Sequence, residues 1–346
     1  MVNNGNNRRA KKDEVRNGKQ FNDEDQSVDT LLRPGGWGDY IGQKNIKENL
    51  RVIIGAAKAR GESSDHLLFY GQAGLGKTTL AKLVAQEMGA AIKITSGPAI
   101  EKTGDLAAVL SNLESGDVLF IDEAHRLNRT VEEVLYPAME SRKLHIIIGK
   151  AAGARIISLD IPPFTLIAAT TRVDLLSEPL RSRFGATFRL DYYDEEDIEL
   201  IIKRSASILG IDVAPGGVKV LAKASRFTPR VANRLLKRAR DYIEMHKEKI
   251  VDQETAIKTL DMIGVDRLGL EIHDRLLINI IIDKFNGGPV GVNTLAAAMN
   301  EDRGIVENVY EPYLMKLGFI RRTGAGRVVE PAAFSHLGKK VKEQLF

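Results

Sequence analysis

Residues Gly71-Gln72-Ala73-Gly74-Leu75-Gly76-Lys77-Thr78 fit the full spacing of a phosphate-binding loop. Glycines at such a loop let backbone amides turn toward phosphate oxygens, and the following helix N-terminus adds favourable partial charge. Lys77 would neutralise β- and γ-phosphate oxygens, and Thr78 would offer its hydroxyl to Mg²⁺. Farther along, Val118-Leu119-Phe120-Ile121 ends in Asp122 and Glu123. One carboxylate suits magnesium and the other suits a water to be polarised, because phosphoryl transfer needs a positioned nucleophile. Thr170 and Thr171 could orient that water, although in isolation a turn hydroxyl reads equally well. Arg181 and Arg183 could reach a phosphate in a neighbouring subunit, but spacing alone favours a surface salt-bridge pair. Arg230 could sense the γ-phosphate or simply be solvated on a helix surface.

These residues need an alternating scaffold. Short apolar runs at Leu67–Tyr70, Ala91–Ile94, Val118–Ile121, Thr165–Ala169 and Thr187–Leu190 predict strands. Helical patterns such as Thr78–Met88 and Thr130–Met139 lie between them, which implies a parallel sheet covered on both faces. After Asp194 the strand signal disappears. Asp194, Thr228-Pro229 and Asp252 each read as a helix start, giving a small helical domain. From Asp266 the order is three helices, then two short strands around Thr323-Gly324-Ala325-Gly326, the order of a winged helix. The expected fold class is therefore α/β: a parallel-sheet nucleotide-binding domain over 28–193, a helical lid over 194–265 and a winged helix over 266–338. A polar tail over 1–27 is too poor in large apolar side chains to fold alone, and 339–346 form a short end.

Composition sets outer bounds. The 346 residues suggest two or three domains, and 43% apolar with 28% charged residues is typical of soluble globular chains. Cysteine is absent, so disulfides and thiolate metal sites are excluded, which fits a reducing, cytoplasmic setting. The six histidines are scattered, and no run is long and apolar enough for a membrane span or a signal-peptide core. A net charge of +4 permits nucleic-acid contact without requiring it. The distribution says more: Lys316–Arg327 contains four basic residues and no acidic one, which focuses positive charge on the wing.

Several blocks together carry a specific resemblance. They are Leu32-Arg33-Pro34, Asp39-Tyr40-Ile41-Gly42-Gln43, the phosphate loop, Ile121-Asp122-Glu123-Ala124-His125-Arg126-Leu127 and Pro162-Pro163-Phe164-Thr165-Leu166-Ile167. To these add Ala169-Thr170-Thr171-Arg172, Pro179-Leu180-Arg181-Ser182-Arg183-Phe184-Gly185 and Val309-Tyr310-Glu311-Pro312-Tyr313-Leu314. The chain resembles the RuvB family of AAA+ ATPases, bacterial motors that drive branch migration of Holliday junctions in recombination, DNA repair and the SOS response. The resemblance implies ATP/ADP and Mg²⁺ as ligands. Lys77, Asp122, Glu123, Thr171, Arg183 and Arg230 would serve catalysis, with Thr171 as first sensor, Arg183 as a finger acting in trans and Arg230 as second sensor. Leu32, Arg33, Tyr40, Ile41, Gly74, Gly76, Thr78, Thr79 and Tyr193 would join Lys77 and Arg230 around the nucleotide, and Thr78 and Asp122 would hold the metal. Arg321, Arg322 and Arg327 would meet DNA without regard to sequence. The resemblance also implies a homo-hexamer ring on duplex and four-way junction DNA, a RuvA-type junction-binding partner and a RuvC-type resolvase.

A further hairpin is expected from Leu144–Gly149 and Arg155–Leu159, around Gly149-Lys150-Ala151-Ala152-Gly153. Its consecutive Ile146, Ile147 and Ile148 cannot all face one side of a strand. The residues alone leave open whether this hairpin packs on its own domain or on another protein; the resemblance implies a grip on RuvA. Three departures from the family pattern stand out: Gln72-Ala73 for two prolines, Gly35-Gly36 before Trp37, and Gly324-Ala325 for Pro-Arg at the wing tip. They predict a looser phosphate loop, a more mobile adenine segment and one fewer phosphate-contacting charge. Two other AAA+ classes compete. A clamp-loading or origin-binding switch shares the nucleotide motifs, but a clamp loader lacks a winged helix. An unfoldase needs an aromatic pore loop, which Ile94-Thr95-Ser96-Gly97-Pro98 does not supply.

Overall fold

The computed structural model describes residues 28–148 and 155–340. The polar tail, the hairpin tip around Gly149–Gly153 and residues 341–346 lie outside the described residues. The chain forms two compact units. One runs to Ile208 and includes Thr228–Asn233; the other comprises Leu209–Phe227 and Arg234 onward.

In the first unit, helix α1 (Lys44–Arg60) buries Ile46, Leu50, Ile54 and Ala57, one apolar stripe at helical spacing. Strand β1 (Leu67–Tyr70) then leads through the phosphate loop into α2 (Lys77–Met88). Next come β2 (Ile92–Ser96), α3 (Thr103–Ser111), β3 (Val118–Asp122) and α4 (Arg129–Ser141), the last capped by Asn128. Strands β4 (Lys143–Ile148) and β5 (Arg155–Asp160) form an antiparallel hairpin. Strand β6 (Thr165–Thr170), the short α5 (Glu178–Arg181), β7 (Ala186–Arg189) and α6 (Glu195–Leu209) follow.

Five strands make one parallel sheet in the order β2-β3-β6-β1-β7. Its central strands read Leu-Leu-Phe-Tyr, Val-Leu-Phe-Ile-Asp and Thr-Leu-Ile-Ala-Ala-Thr, apolar runs suited to burial on both faces. The register pairs Tyr70 with Thr170 and Ile121 with Ala168. The ends of β1, β3 and β6 therefore emerge side by side, where ligands bind in open parallel sheets. A core including Leu68, Leu119, Ile121, Leu135, Phe164 and Leu166 fixes these ends against α3 and α4.

The second unit holds α7 (Pro215–Lys223), most of α8 (Pro229–His246) and α9 (Gln253–Met262). Two pairs of residues absent from the sequence-based expectation, β8 (Asp212–Val213) and β9 (Ile250–Val251), form a short parallel bridge. Two residues carry no periodicity, so nothing announced them. Helices α10 (Ile272–Phe285) and α11 (Val292–Met299) follow. The expected third helix is broken: α12 (Arg303–Ile305) passes through a wide turn at Val306–Tyr310 into α13 (Glu311–Lys316). Pro312 lacks an amide hydrogen and crowds the preceding turn, which accounts for the widening. Strands β10 (Ile320–Thr323) and β11 (Gly326–Val329) form the wing, followed by α14 (Pro331–His336).

Within this unit Arg226 joins the lid segment to the winged helix. It donates to the Gly269 carbonyl at 2.8 Å, pairs with buried Asp274 and lies 4.9 Å from the centre of the Tyr313 ring. Tyr313 in turn donates to the Leu268 carbonyl. The later part of the lid, from Leu209 apart from Thr228–Asn233, thus shares one compact unit with the winged helix.

Candidate nucleotide site

At the aligned strand ends lies a cavity of about 430 Å³, within the usual size range of ligand sites. Of the residues proposed from sequence, Leu32, Arg33, Gly74, Gly76, Lys77, Thr78, Thr79, Asp122, Glu123, Thr171 and Arg230 line it. Gly76 adopts φ 99°, and a Cβ there would come within 2.9 Å of the Tyr40 hydroxyl, so only glycine fits. The loop then turns directly into α2. Lys77 is buried and donates to the carbonyls of Gly71 and Gln72, each at 2.8 Å. Burial lowers its pKa, while Asp122 and Glu123 act in the opposite sense.

The Thr78 hydroxyl lies 3.2 Å from Asp122 Oδ2. A hydroxyl and a carboxylate are hard oxygen donors, and Mg²⁺ characteristically takes one or two such groups together with phosphate oxygens. Among the described residues no group of three or more histidine, cysteine, aspartate or glutamate side chains is placed to hold a metal ion. The donor set fits Mg²⁺ bound with a nucleotide.

Glu123 occupies the left-handed region at φ 50°, a strained setting for a residue other than glycine. Its amide donates to Asp122 Oδ1 at 2.9 Å. On the other side its carbonyl packs against Gly97, where a Cβ would approach to 2.4 Å. Sequence gave no sign of this contact, because it joins distant segments. The cavity also includes Pro34 and Ala73, from the adenine segment and the phosphate loop, together with Asp29, Pro229 and Asn233, to which the sequence reading assigned no role at the site. Asn233 stands one turn beyond Arg230 on the same helix face, a spacing that could have revealed it. Ser205 donates to its side-chain oxygen at 2.7 Å, and Arg204 donates to the Leu32 carbonyl at 2.9 Å, fixing the cavity's edge.

Four proposed residues do not line the cavity. Tyr40 and Tyr193 are buried, with their hydroxyls 3.2 Å apart, and Tyr193 donates to the Leu75 carbonyl at 3.3 Å. Both therefore brace the phosphate loop from behind. Burial pushes the Tyr193 phenol up to about 12, and Tyr40 is also raised. Ile41 follows Tyr40 outside the cavity lining. Arg183 lies in a smaller cavity of about 250 Å³ with His66, Asp65 and Arg142. There it donates to the Pro179 carbonyl at 2.6 Å, pairs with Glu140 at 3.1 Å and lies 4.4 Å from the centre of the Tyr136 ring.

Residues 32–190 match the Holliday junction DNA helicase RuvB P-loop domain, 193–266 the RuvB AAA lid domain and 267–338 the RuvB C-terminal winged helix domain. The chain belongs to the RuvB family. A Holliday junction branch migration complex subunit RuvB from Fusobacterium nucleatum is 54% identical over 318 residues, covering 92% of this chain and 96% of that protein. One from Chloroflexus aurantiacus is 52% identical, over 93% and 92% respectively. The solved RuvB Holliday junction branch migration motor of Thermotoga maritima superposes with a TM-score of 0.82 at 45% identity, over 90% of this chain and 100% of that one.

In the hairpin, Ile146 pairs with Ile157 and Ile147 with Ile156, while Ile148 faces Arg155 in register. The side chains of Ile146, Ile147 and Ile148 lie outside the described residues, but Ile157 and Leu159 on the second strand are 42% and 41% exposed. In the wing, the three arginines divide. Arg321 and Arg322 have side chains 60% and 46% exposed; Arg327 has only 12%. Arg322 and Arg327 stand opposite each other across the hairpin, and fully buried Glu311 bridges them at 2.6 and 2.8 Å. Glu307 adds a second partner to Arg327 at 3.0 Å, and Arg321 pairs with Glu330 at 2.5 Å. The concentration of positive charge expected from sequence is thus partly neutralised from within the domain. Among the described residues no helix is long and apolar enough to cross a membrane.

Proposed function

We propose that the chain is an ATP-driven translocase that moves duplex DNA at four-way junctions, acting as a cytoplasmic homo-hexamer ring with RuvA-type and RuvC-type partners. The observation that carries this reading is a division of the catalytic set. Lys77, Asp122, Glu123, Thr171 and Arg230 surround one cavity, while Arg183 is absent from its lining. An arginine that serves phosphoryl transfer from elsewhere must serve a neighbour's cavity, which favours a ring or an arc.

Within that assembly, the phosphate-loop amides and Lys77 hold the triphosphate. Thr78 and Asp122 would hold Mg²⁺, which when bound with the nucleotide offsets phosphate charge. Glu123 polarises the attacking water, Thr171 orients it, and Arg230 contacts the γ-phosphate. Arg183 of the adjacent subunit stabilises charge in the transition state, an effect of about 10³ to 10⁵ in rate. Arg321 and Arg322 contact the DNA backbone, and Arg327 holds the wing in shape through Glu311. The hairpin, with Ile146, Ile147 and Ile148 on its first strand and exposed Ile157 and Leu159 on its second, offers the surface for the junction-binding partner.

Mixing two inactive variants tests the shared site. Lys77→Ala and Arg183→Ala proteins, each without ATPase activity alone, should regain a fraction of it in mixed rings, because some interfaces then combine an intact cavity with an intact finger. No recovery at any mixing ratio, with mixed rings shown to form, would contradict action in trans.

A further inference from the structure

Behind the Glu123 carboxylate stands a line of polar groups that nucleotide binding does not itself require. His125 Nε2 lies 3.4 Å from Glu123 Oε2, and His125 Nδ1 lies 2.9 Å from the Thr170 hydroxyl. The His125 side chain is mostly enclosed, and Thr170 is fully buried at the end of β6. The Thr170 oxygen already accepts the Arg172 amide hydrogen at 2.9 Å.

One arrangement of hydrogens serves the whole line. With the Thr170 hydroxyl donating to His125 Nδ1 while it accepts from Arg172, a neutral ring carries its own hydrogen on Nε2, facing the carboxylate. The opposite tautomer would turn a lone pair toward Glu123. Burial, the largest influence on the ring, favours its neutral form, with Glu123 opposing. Nε2 then faces the Glu123 carboxylate at ion-pair distance, and the ring that does so is anchored to the strand whose next residue is Thr171.

We infer that His125 is a positioning residue for the reaction: it aims the Glu123 carboxylate, and through Thr170 it ties that aim to the strand end carrying Thr171. The carboxylate that polarises water and the hydroxyl that orients it then keep a common frame. Glu123 alone is poorly placed to hold its aim, since its backbone is strained and its side chain is 41% exposed. The inference rests on the reading of Glu123 as the water-polarising group.

Steady-state ATPase measurements on the full chain with DNA, together with ADP titration calorimetry and thermal melts, test it. His125→Phe and Thr170→Val should lower kcat by about tenfold or more, as misaimed catalytic groups do, with KM for ATP and ADP affinity unchanged. Thr170→Ser should retain most of kcat. His125→Gln, whose amide nitrogen stands nearest the place of Nε2, should recover more kcat than His125→Asn, whose amide stands nearest Nδ1. Adding His125→Phe to Glu123→Gln should cost nothing further. Unchanged kcat in both His125→Phe and Thr170→Val would overturn the inference, as would equal recovery by Asn and Gln or a loss confined to KM. If His125→Phe melts early, the Gln and Asn pair decides. The underlying reading fails separately, if Glu123→Gln itself keeps its kcat.

Discussion

At the residue scale, the site depends on close approaches as much as on charged groups. Glu123 sits in a left-handed backbone conformation that costs on the order of 1 kcal/mol outside glycine. Gly97 leaves room for its carbonyl, since a Cβ would stand only 2.4 Å away. Gly97→Ala should therefore shift Glu123 and lower kcat by about tenfold to a hundredfold, with ADP affinity nearly unchanged. Wild-type kcat in that variant would show that the contact is not needed. Lys77, Thr78, Asp122 and Glu123 were legible because each belongs to a contiguous pattern with its own chemistry. Gly97 was silent because its role arises only when β2 and β3 pair, setting Ser96 opposite Asp122. Tyr40 and Tyr193 were legible as residues of the site's neighbourhood, yet burial places them beneath the phosphate loop rather than along the cavity.

At the element scale, single side chains fix how strands and helices meet. His66, at the start of β1, accepts the Leu166 amide hydrogen at 2.9 Å through Nδ1, and its Nε2 lies 3.3 Å from the Met139 carbonyl. It thereby links β6 to α4. Burial holds its pKa below the ordinary value, so the folded protein keeps the ring neutral while the unfolded chain still protonates. Its stabilising contribution is intact above about pH 6.5 and declines as pH falls through that value toward the lower folded one. The thermal midpoint of the wild type should accordingly fall more steeply between about pH 7 and 5.5 than that of His66→Gln. Parallel curves would exclude His66 as a source of acid sensitivity. The wing makes a second case. Arg321→Ala and Arg322→Ala should each reduce the salt slope of DNA binding by about 1, whereas Arg327→Ala should leave the slope and lower thermal stability instead. The reverse pattern would place Arg327 on the DNA. Strands and helices were legible here from apolar periodicity and caps. The pairing of three arginines with Glu307, Glu311 and Glu330 was not, because local composition hides partners supplied by other elements.

At the scale of the whole molecule, the chain resolves into two compact units, and the second joins the later part of the lid to the winged helix. Arg226 accounts for part of that union, joining Gly269, Asp274 and Tyr313 across the expected boundary near residue 266. Breaking such a buried pair on one side costs about 3–5 kcal/mol, so Arg226 contributes to the stability of that unit. Sequence showed the order of the modules but not this union, which depends on one arginine meeting residues of a later helix. The family relation supports a branch-migration motor, and the proposed reading adds that its ATP chemistry is shared between subunits and that its wing meets DNA. The most direct measurement is migration of a synthetic four-way junction by the purified protein with ATP and a RuvA-type partner. The wild type should resolve the junction into duplex products while hydrolysing ATP, and Lys77→Ala should leave it intact. Sustained ATP hydrolysis by the wild type with the partner, on a junction that never moves, would contradict the account.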